Sequence, residues 1–153
     1  MAFAQVLNPS LTSNESTATA QLGTIFEQPK TGNIFRYIQV EDANLVAGDV
    51  VEYADTTGYL VTKDRAGGSS VGRFVAGVAV SAITDGNYGW VQVSGVATVT
   101  TDGGVVKGDR LVPHATADGQ ADTETAGTTS GQVFGVALAD DVSNDVTAMI
   151  RCL

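Results

Sequence analysis

Leu45-Val46-Ala47-Gly48-Asp49-Val50-Val51 and Val105-Val106-Lys107-Gly108-Asp109-Arg110-Leu111 are one pattern written twice. In each, two apolar residues precede x-Gly-Asp and a strand-like run follows. Glycine permits the positive φ of a tight turn. Aspartate accepts hydrogen bonds from nearby backbone N–H groups and fixes that turn. Gly48, Asp49, Gly108 and Asp109 are therefore read as structural turn residues that aim a strand into a β domain. This is preferred over a ligand role for Asp49 or Asp109.

The pattern belongs to a longer repeat. Residues 42–49 match 102–109, sixty positions on. Gly72-Arg73-Phe74-Val75-Ala76-Gly77-Val78-Ala79 resembles Gly131-Gln132-Val133-Phe134-Gly135-Val136-Ala137, 59 positions on at its start and 58 by Gly135, so a loop has lost one or two residues. Trp90-Val91-Gln92-Val93 falls opposite Met149-Ile150-Arg151-Cys152. Two units, roughly 34–93 and 94–153, fill the chain from Ile34 onward. Two copies are too few for a solenoid, which needs several stacked repeats. A pseudo-twofold β-barrel or sandwich remains, each half covering the apolar face of the other.

Short strands are expected at 35–41, 50–54, 59–62, 74–83 and 88–93 in the first unit, and at 96–101, 110–113, 133–138 and 146–153 in the second. Gly-, Asp-, Asn- and Ser-rich segments between them are turn chemistry. No stretch carries a 3.6-residue apolar period, so any helix should be short. Alternation puts Val146, Ala148, Ile150 and Cys152 on one inward face, with Val91 and Val93 as counterparts. Tyr88 and Trp90 then point outward with Gln92. They are subunit-interface candidates, or they lie beneath a loop or the N-terminal segment.

Composition agrees with a β domain. Of 153 residues, 43% are hydrophobic, enough for a core, and only 16% are charged, against about 25% in an average soluble domain. Eighteen glycines favour strands and turns over helices. The net charge of −9 repels nucleic acid and anionic membranes, so neither is an expected partner. A single cysteine, Cys152, excludes an intrachain disulfide and a cysteine-based metal site. No apolar run reaches bilayer length. The first residues lack the basic flank and apolar stretch of a signal peptide, which makes the cytoplasm the expected site of synthesis.

Residues 1–33 differ from the rest. Glu15, Glu27 and Lys30 are their only charges, and Pro9 and Pro29 oppose regular structure. A plain linker rarely carries the apolar side chains found here. Phe3, Leu7, Leu11, Ile25 and Phe26, with Val6 and Leu22, read as anchors of an extended arm that orders against another surface. Each contributes about 1.5–3 kcal/mol if fully buried.

Catalytic and cofactor chemistry is thin. His114, the only histidine, follows Pro113 at a strand end and reads as a solvent-exposed loop side chain. No Gly-x-Ser-x-Gly elbow accompanies it. Asp140, Asp141 and Asp145 around Ser143 and Asn144 lack EF-hand spacing and read as an acidic turn rather than a Ca²⁺ loop. Gly67-Gly68-Ser69-Ser70 has no following lysine to make a phosphate cradle. Lys30, Lys63 and Lys107 lack the context of a lipoyl or biotinyl carrier lysine. No enzyme activity, cofactor or metal is expected.

Gly89-Trp90-Val91-Gln92-Val93-Ser94-Gly95-Val96-Ala97-Thr98-Val99 followed by Asp102-Gly103-Gly104-Val105, and Gly135-Val136-Ala137-Leu138-Ala139-Asp140-Asp141, resemble the tailed-phage capsid decoration proteins. These are small β-barrel or β-clip-like cement proteins, and the resemblance covers roughly residues 34–153. It implies an all-β, β-barrel or β-clip-like domain behind an N-terminal arm. It further implies a homotrimer on the outer capsid surface of a virion, made in the host cytoplasm. Its partner would be the major capsid protein, and it would stabilise the shell by bridging neighbouring subunits. The alternative is a tail or fibre module, or a carbohydrate-binding virion surface module using Tyr59, Tyr88 and Trp90. A small hydrolase using His114 ranks last.

Overall fold

The computed structural model describes residues 8–54, 58–64, 74–125 and 132–152. Two arm candidates, Phe3 and Leu7, lie outside the described residues. So do Val6, the Gly67-Gly68-Ser69-Ser70 loop and the Gly72-Arg73 and Gly131 starts of the second repeat match.

The fold is all-β. Ten strands occur among the described residues: β1 (Ile25–Glu27), β2 (Ile34–Val40), β3 (Val50–Tyr53), β4 (Leu60–Thr62), β5 (Val75–Ala79), β6 (Tyr88–Thr100), β7 (Arg110–Pro113), β8 (Ala121–Thr123), β9 (Gly135–Ala137) and β10 (Asp145–Arg151). They hydrogen-bond in the order β1-β2-β4-β3-β5-β6-β10-β9-β7-β8, and β2 also pairs with β6. That extra pairing closes β2, β4, β3, β5 and β6 into a five-stranded barrel, which removes its open edges.

The other strands curl in the same way. In the barrel, β2 meets β4 in parallel through Gln39↔Leu60 and Val40↔Val61. Beyond it, the parallel bridge Thr101↔Ala121 returns the β7–β8 hairpin to the end of β6. The duplicated pattern makes duplicated hydrogen bonds. Gly48 N donates to Ala79 O (2.8 Å) and Gly108 N to Ala137 O (2.9 Å); Ala79 N donates to Asp49 O (2.8 Å) and Ala137 N to Asp109 O (2.9 Å).

β6 serves both halves. Residues 88–93 and 96–101 were expected as separate strands, yet β6 runs unbroken from Tyr88 to Thr100. Its pairing with β2 shifts register between Ile34↔Ser94 and Phe35↔Gln92. The extra β6 residue at that irregularity is Val93; two positions on, Gly95 takes φ +105°, and a Cβ there would come within 2.1 Å of Asn33 Oδ1. The Asn33 oxygen instead accepts a hydrogen bond from Val96 N at 3.2 Å. Ser94 and Gly95 thus lie inside one long strand, paired with Arg151 and Ile150, next to a bulge at Val93.

The strand expected over 74–83 is shorter, Val75–Ala79, and Phe74 is exposed. β1 and β8, three residues each, were not expected; both exist through pairing, with β2 and β7 respectively. The core is continuous through both halves. It contains Ile38, Val40, Val51, Val61, Val78, Val91 and Val93 of the barrel and Val99, Leu111, Phe134, Val146, Ala148, Ile150 and Cys152 beyond it. Val91, Val93 and the alternate residues of β10 therefore point inward, as alternation implies.

Candidate functional site

Residues 8–33 lie on the outside of the barrel of their own chain. Glu15 and Tyr88 exchange backbone hydrogen bonds of 3.0 and 2.8 Å. Asn14 bonds Thr84 and Asn87 with its side chain. β1 adds to the edge of β2 through Ile25↔Arg36, Phe26↔Phe35 and Glu27↔Ile34. Beneath this segment Phe35, Tyr37 and Trp90 form a second apolar cluster, covered by Leu11, Ala20, Leu22, Phe26 and Tyr88.

The aromatic geometry is dense. Tyr37 and Trp90 rings lie 5.1 Å apart, Phe26 meets Trp90 edge-on at 6.3 Å, and Tyr88 stacks on Tyr37 at 6.3 Å. Tyr37 donates its hydroxyl hydrogen to Glu15 Oε2 at 2.6 Å and accepts from Thr19 N at 3.1 Å. Burial, reinforced by the Glu15 carboxylate, pushes the Tyr37 phenol up from its ordinary range.

These contacts place the site candidates. Leu11 and Phe26 pack inward on their own barrel. Ile25, alternating with Phe26 along β1, stays 48% exposed. Tyr88 is half-buried and Trp90 only 3% exposed. On this part of β6, Trp90 is covered by residues of its own chain, Leu11, Ala20, Leu22 and Phe26 among them.

The corresponding outer face of the second half has no such cover among the described residues. Ala79 pairs with Val91 as Ala137 pairs with Ala148. The structural counterpart of Trp90 is therefore Thr147, two residues before the Met149 that sequence alignment selects. On this face Val96, Met149 and Val136 stand side by side across β6, β10 and β9, since Met149 pairs with both of the others. They are 45%, 47% and 40% exposed, with Leu138, also 40% exposed, nearby. The strip is missed in sequence because its members lie far apart along the chain. Alternation in β10 places Met149 outward, but only sheet register joins it to the others.

Asp49 and Asp109 each accept a backbone N–H from the residue three before them. Asp49 Oδ2 accepts from Val46 N at 2.8 Å and pairs with Lys63 Nζ at 2.8 Å. Asp109 Oδ2 accepts from Val106 N at 3.0 Å and from the Thr123 hydroxyl at 3.1 Å. Lys63 and Thr123 are themselves sixty positions apart. Gly48 and Gly108 take φ +93° and +97°, the left-handed values these turns require.

The acidic turn is held by backbone N–H groups, one from the turn and one from the preceding Gly-Asp motif. Asp140 Oδ1 accepts from Lys107 N at 2.9 Å, and Asp141 Oδ1 from Asn144 N at 3.1 Å. Ser143 and Asn144 occupy positive φ between the bridged residues Val142 and Asp145. His114 differs from the solvent-exposed loop residue expected. Its side chain is 20% exposed, and Nε2 lies 3.3 Å from Asp102 Oδ2. A groove of about 270 Å³ lies between the halves, lined in part by Gly48, Val80, Gln92 and Thr98. It is just below the roughly 300–1,000 Å³ of ordinary small-molecule pockets.

No family model and no curated protein matches this chain. Among solved structures, it shares its fold with the protein described as the head fiber gp8.5 N base in bacteriophage phi29. The superposition has a TM-score of 0.53 at 18% identity, and covers 77% of this chain and 93% of that one.

Proposed function

We propose that this chain is a structural protein of a phage head, carried on the outer capsid surface and bound to the major capsid protein. The observation that carries the reading is the likeness of its β fold to the base of a head fiber, spanning most of both chains. The arm-covered barrel, the resemblance to capsid decoration proteins in residues 34–153 and the charge of −9 support it. No catalysis, nucleic-acid partner or membrane partner belongs to this reading.

The finer proposal is a decoration protein that self-associates, as a homotrimer, and bridges neighbouring shell subunits. The strip of Val96, Val136 and Met149 is the surface assigned to contact with another subunit. Among the described arm candidates, Ile25 is the exposed one and is assigned to the shell. Several weak contacts on one oligomer act with high effective concentration. Binding only to the expanded shell stabilises that state by mass action.

A fiber base is the second reading, favoured by the description of the neighbour itself. The glycan-binding alternative loses Trp90, whose ring has almost no exposed surface. The test is co-sedimentation with expanded heads that lack this protein. Saturable binding, weakened by Met149→Glu, is expected; no binding at any protein concentration overturns the reading.

A further inference from the structure

The outward face of β10 carries opposite charges at its two ends. Asp145, Thr147, Met149 and Arg151 alternate with the buried Val146, Ala148 and Ile150, so all four leave the sheet on one side. Across the sheet, Asp145 stands beside Thr100, Thr147 beside Thr98, and Met149 beside Val96 and Val136. The face therefore runs from a carboxylate, through threonines and an apolar row, to a guanidinium. We propose that two copies of this chain pack these faces together about a two-fold axis, β10 antiparallel to β10, which rests on the reading of the Val96–Met149–Val136 strip as a subunit contact.

The symmetry follows from the register. A two-fold axis in the contact plane, perpendicular to β10, passes over Ala148, midway between Asp145 and Arg151. It reverses the strand direction and keeps β6 over β6 and β9 over β9. Asp145 of each copy then faces Arg151 of the other. The row of Val96, Met149 and Val136 lies on Thr98, Thr147 and Leu138 of the second copy, Leu138 being joined to Thr147 by its backbone N–H at 2.8 Å. Facing sheets pack about 10 Å apart, a gap that an aspartate and an arginine side chain span together. A parallel arrangement would set like charge against like, so the charges select the antiparallel one. Residue i meeting j while j meets i is the self-complementarity of a two-fold contact.

Two further observations favour a second copy as the occupant. Among the described residues Arg151 makes no ion pair, although the chain has only eight Lys and Arg and a net charge of −9. The first half lacks the pattern. In the register that equates Val91 with Ala148, Tyr88 and Ser94 stand where Asp145 and Arg151 do. There the arm covers the face instead. The opposed charges are thus found on the half whose face has no such cover among the described residues. Four strands and the length of β10 give a flat footprint of about 19 by 23 Å, the scale of a weak, concentration-dependent contact. A two-fold contact links copies in pairs, so a trimer is held by other surfaces.

The test is sedimentation equilibrium of the full chain up to millimolar concentration, at low and high salt. The wild type is expected to reach twice the mass of Arg151→Asp, and the doubling should weaken as salt screens the pairs. Arg151→Asp and Asp145→Arg should each weaken the pairing by more than about tenfold, because each sets like charges face to face. The double variant should restore it. If either swap disturbs the fold, Arg151→Gln, which only removes the charge, should still weaken the pairing and decides the matter. A wild type that never doubles, single variants that double as well as the wild type, or a double variant that stays unpaired overturns the proposal. Binding of the wild type to heads without any doubling would sink the pairing alone and leave the head reading standing.

Discussion

Asp49 and Asp109 occupy the same place in the two halves, and each carboxylate accepts the backbone N–H of the residue three before it, Val46 at 2.8 Å and Val106 at 3.0 Å. Their surroundings differ. Asp49 is 3% exposed and paired with Lys63, whereas Asp109 is half-buried and bonded to a threonine hydroxyl. Removing one partner of a fully buried ion pair costs about 3–5 kcal/mol, because the other charge is stranded. The Lys63 side chain is 20% exposed and can reach water, so Asp49→Ala should cost somewhat less, about 2–3 kcal/mol. Asp109→Ala should cost about 1 kcal/mol. Urea unfolding of both variants measures the difference; equal losses would refute this account of the two turns.

The preceding glycines should also separate. A Cβ on Gly48 would stand 2.4 Å from Thr100 Oγ1, while one on Gly108 meets nothing within 4 Å. Gly108→Ala carries only the left-handed backbone penalty of about 1–2 kcal/mol. Gly48→Ala adds a steric clash to that penalty and should be the more destabilising. Thermal melts of the pair check the order.

Trp90 is the single tryptophan and reports on the arm. With residues 1–24 removed, its emission should shift to the red and a hydrophobic dye should bind, because Leu11, Ala20 and Leu22 no longer cover the cluster. Trp90→Ala in the full chain should cost about 3–5 kcal/mol in stability. Unchanged emission after truncation would contradict the arm's covering role.

Stability should fall in alkali. Burial pushes the Cys152 thiol from 9.0 up to about 12, against a smaller opposing effect of Arg36. A thiol with a raised folded pKa contributes stability that is fully present below pH 9.0 and is lost as pH rises toward 12. The slope approaches about 1.4 kcal/mol per pH unit. Tyr37, also raised by burial, adds in the same direction above its ordinary value of 10.0. Cys152→Ala should remove the part of the slope that begins near pH 9.0. Chemical unfolding at a series of pH values measures both.

Much of the architecture was legible because it rests on local chemistry. The Gly-Asp turns, the strand over 110–113 and the inward faces of Val91 and Val93 follow from turn residues and alternation. β8 was not legible, since Ala121-Asp122-Thr123 has no alternating apolar pattern and is a strand only because β7 pairs with it. β1 was hidden in the same way within a polar arm. The break expected between 93 and 96 does not occur, because Gly95 at positive φ stays inside β6, paired with Ile150. His114 read as a surface residue because neither its two backbone donors, Thr116 N and Ala117 N, nor the Asp102 carboxylate beside it can be seen from spacing alone. The exposed Val96–Met149–Val136 strip required the register of three strands.

The most direct test of a structural role on the phage head is to count copies of this protein in purified virions against the major capsid protein, by quantitative mass spectrometry. The account predicts a fixed ratio close to one to one, with the protein remaining on heads separated from tails. A fixed but far lower ratio would select the fiber-base reading over lattice-wide decoration. Complete absence from heads would contradict the proposal.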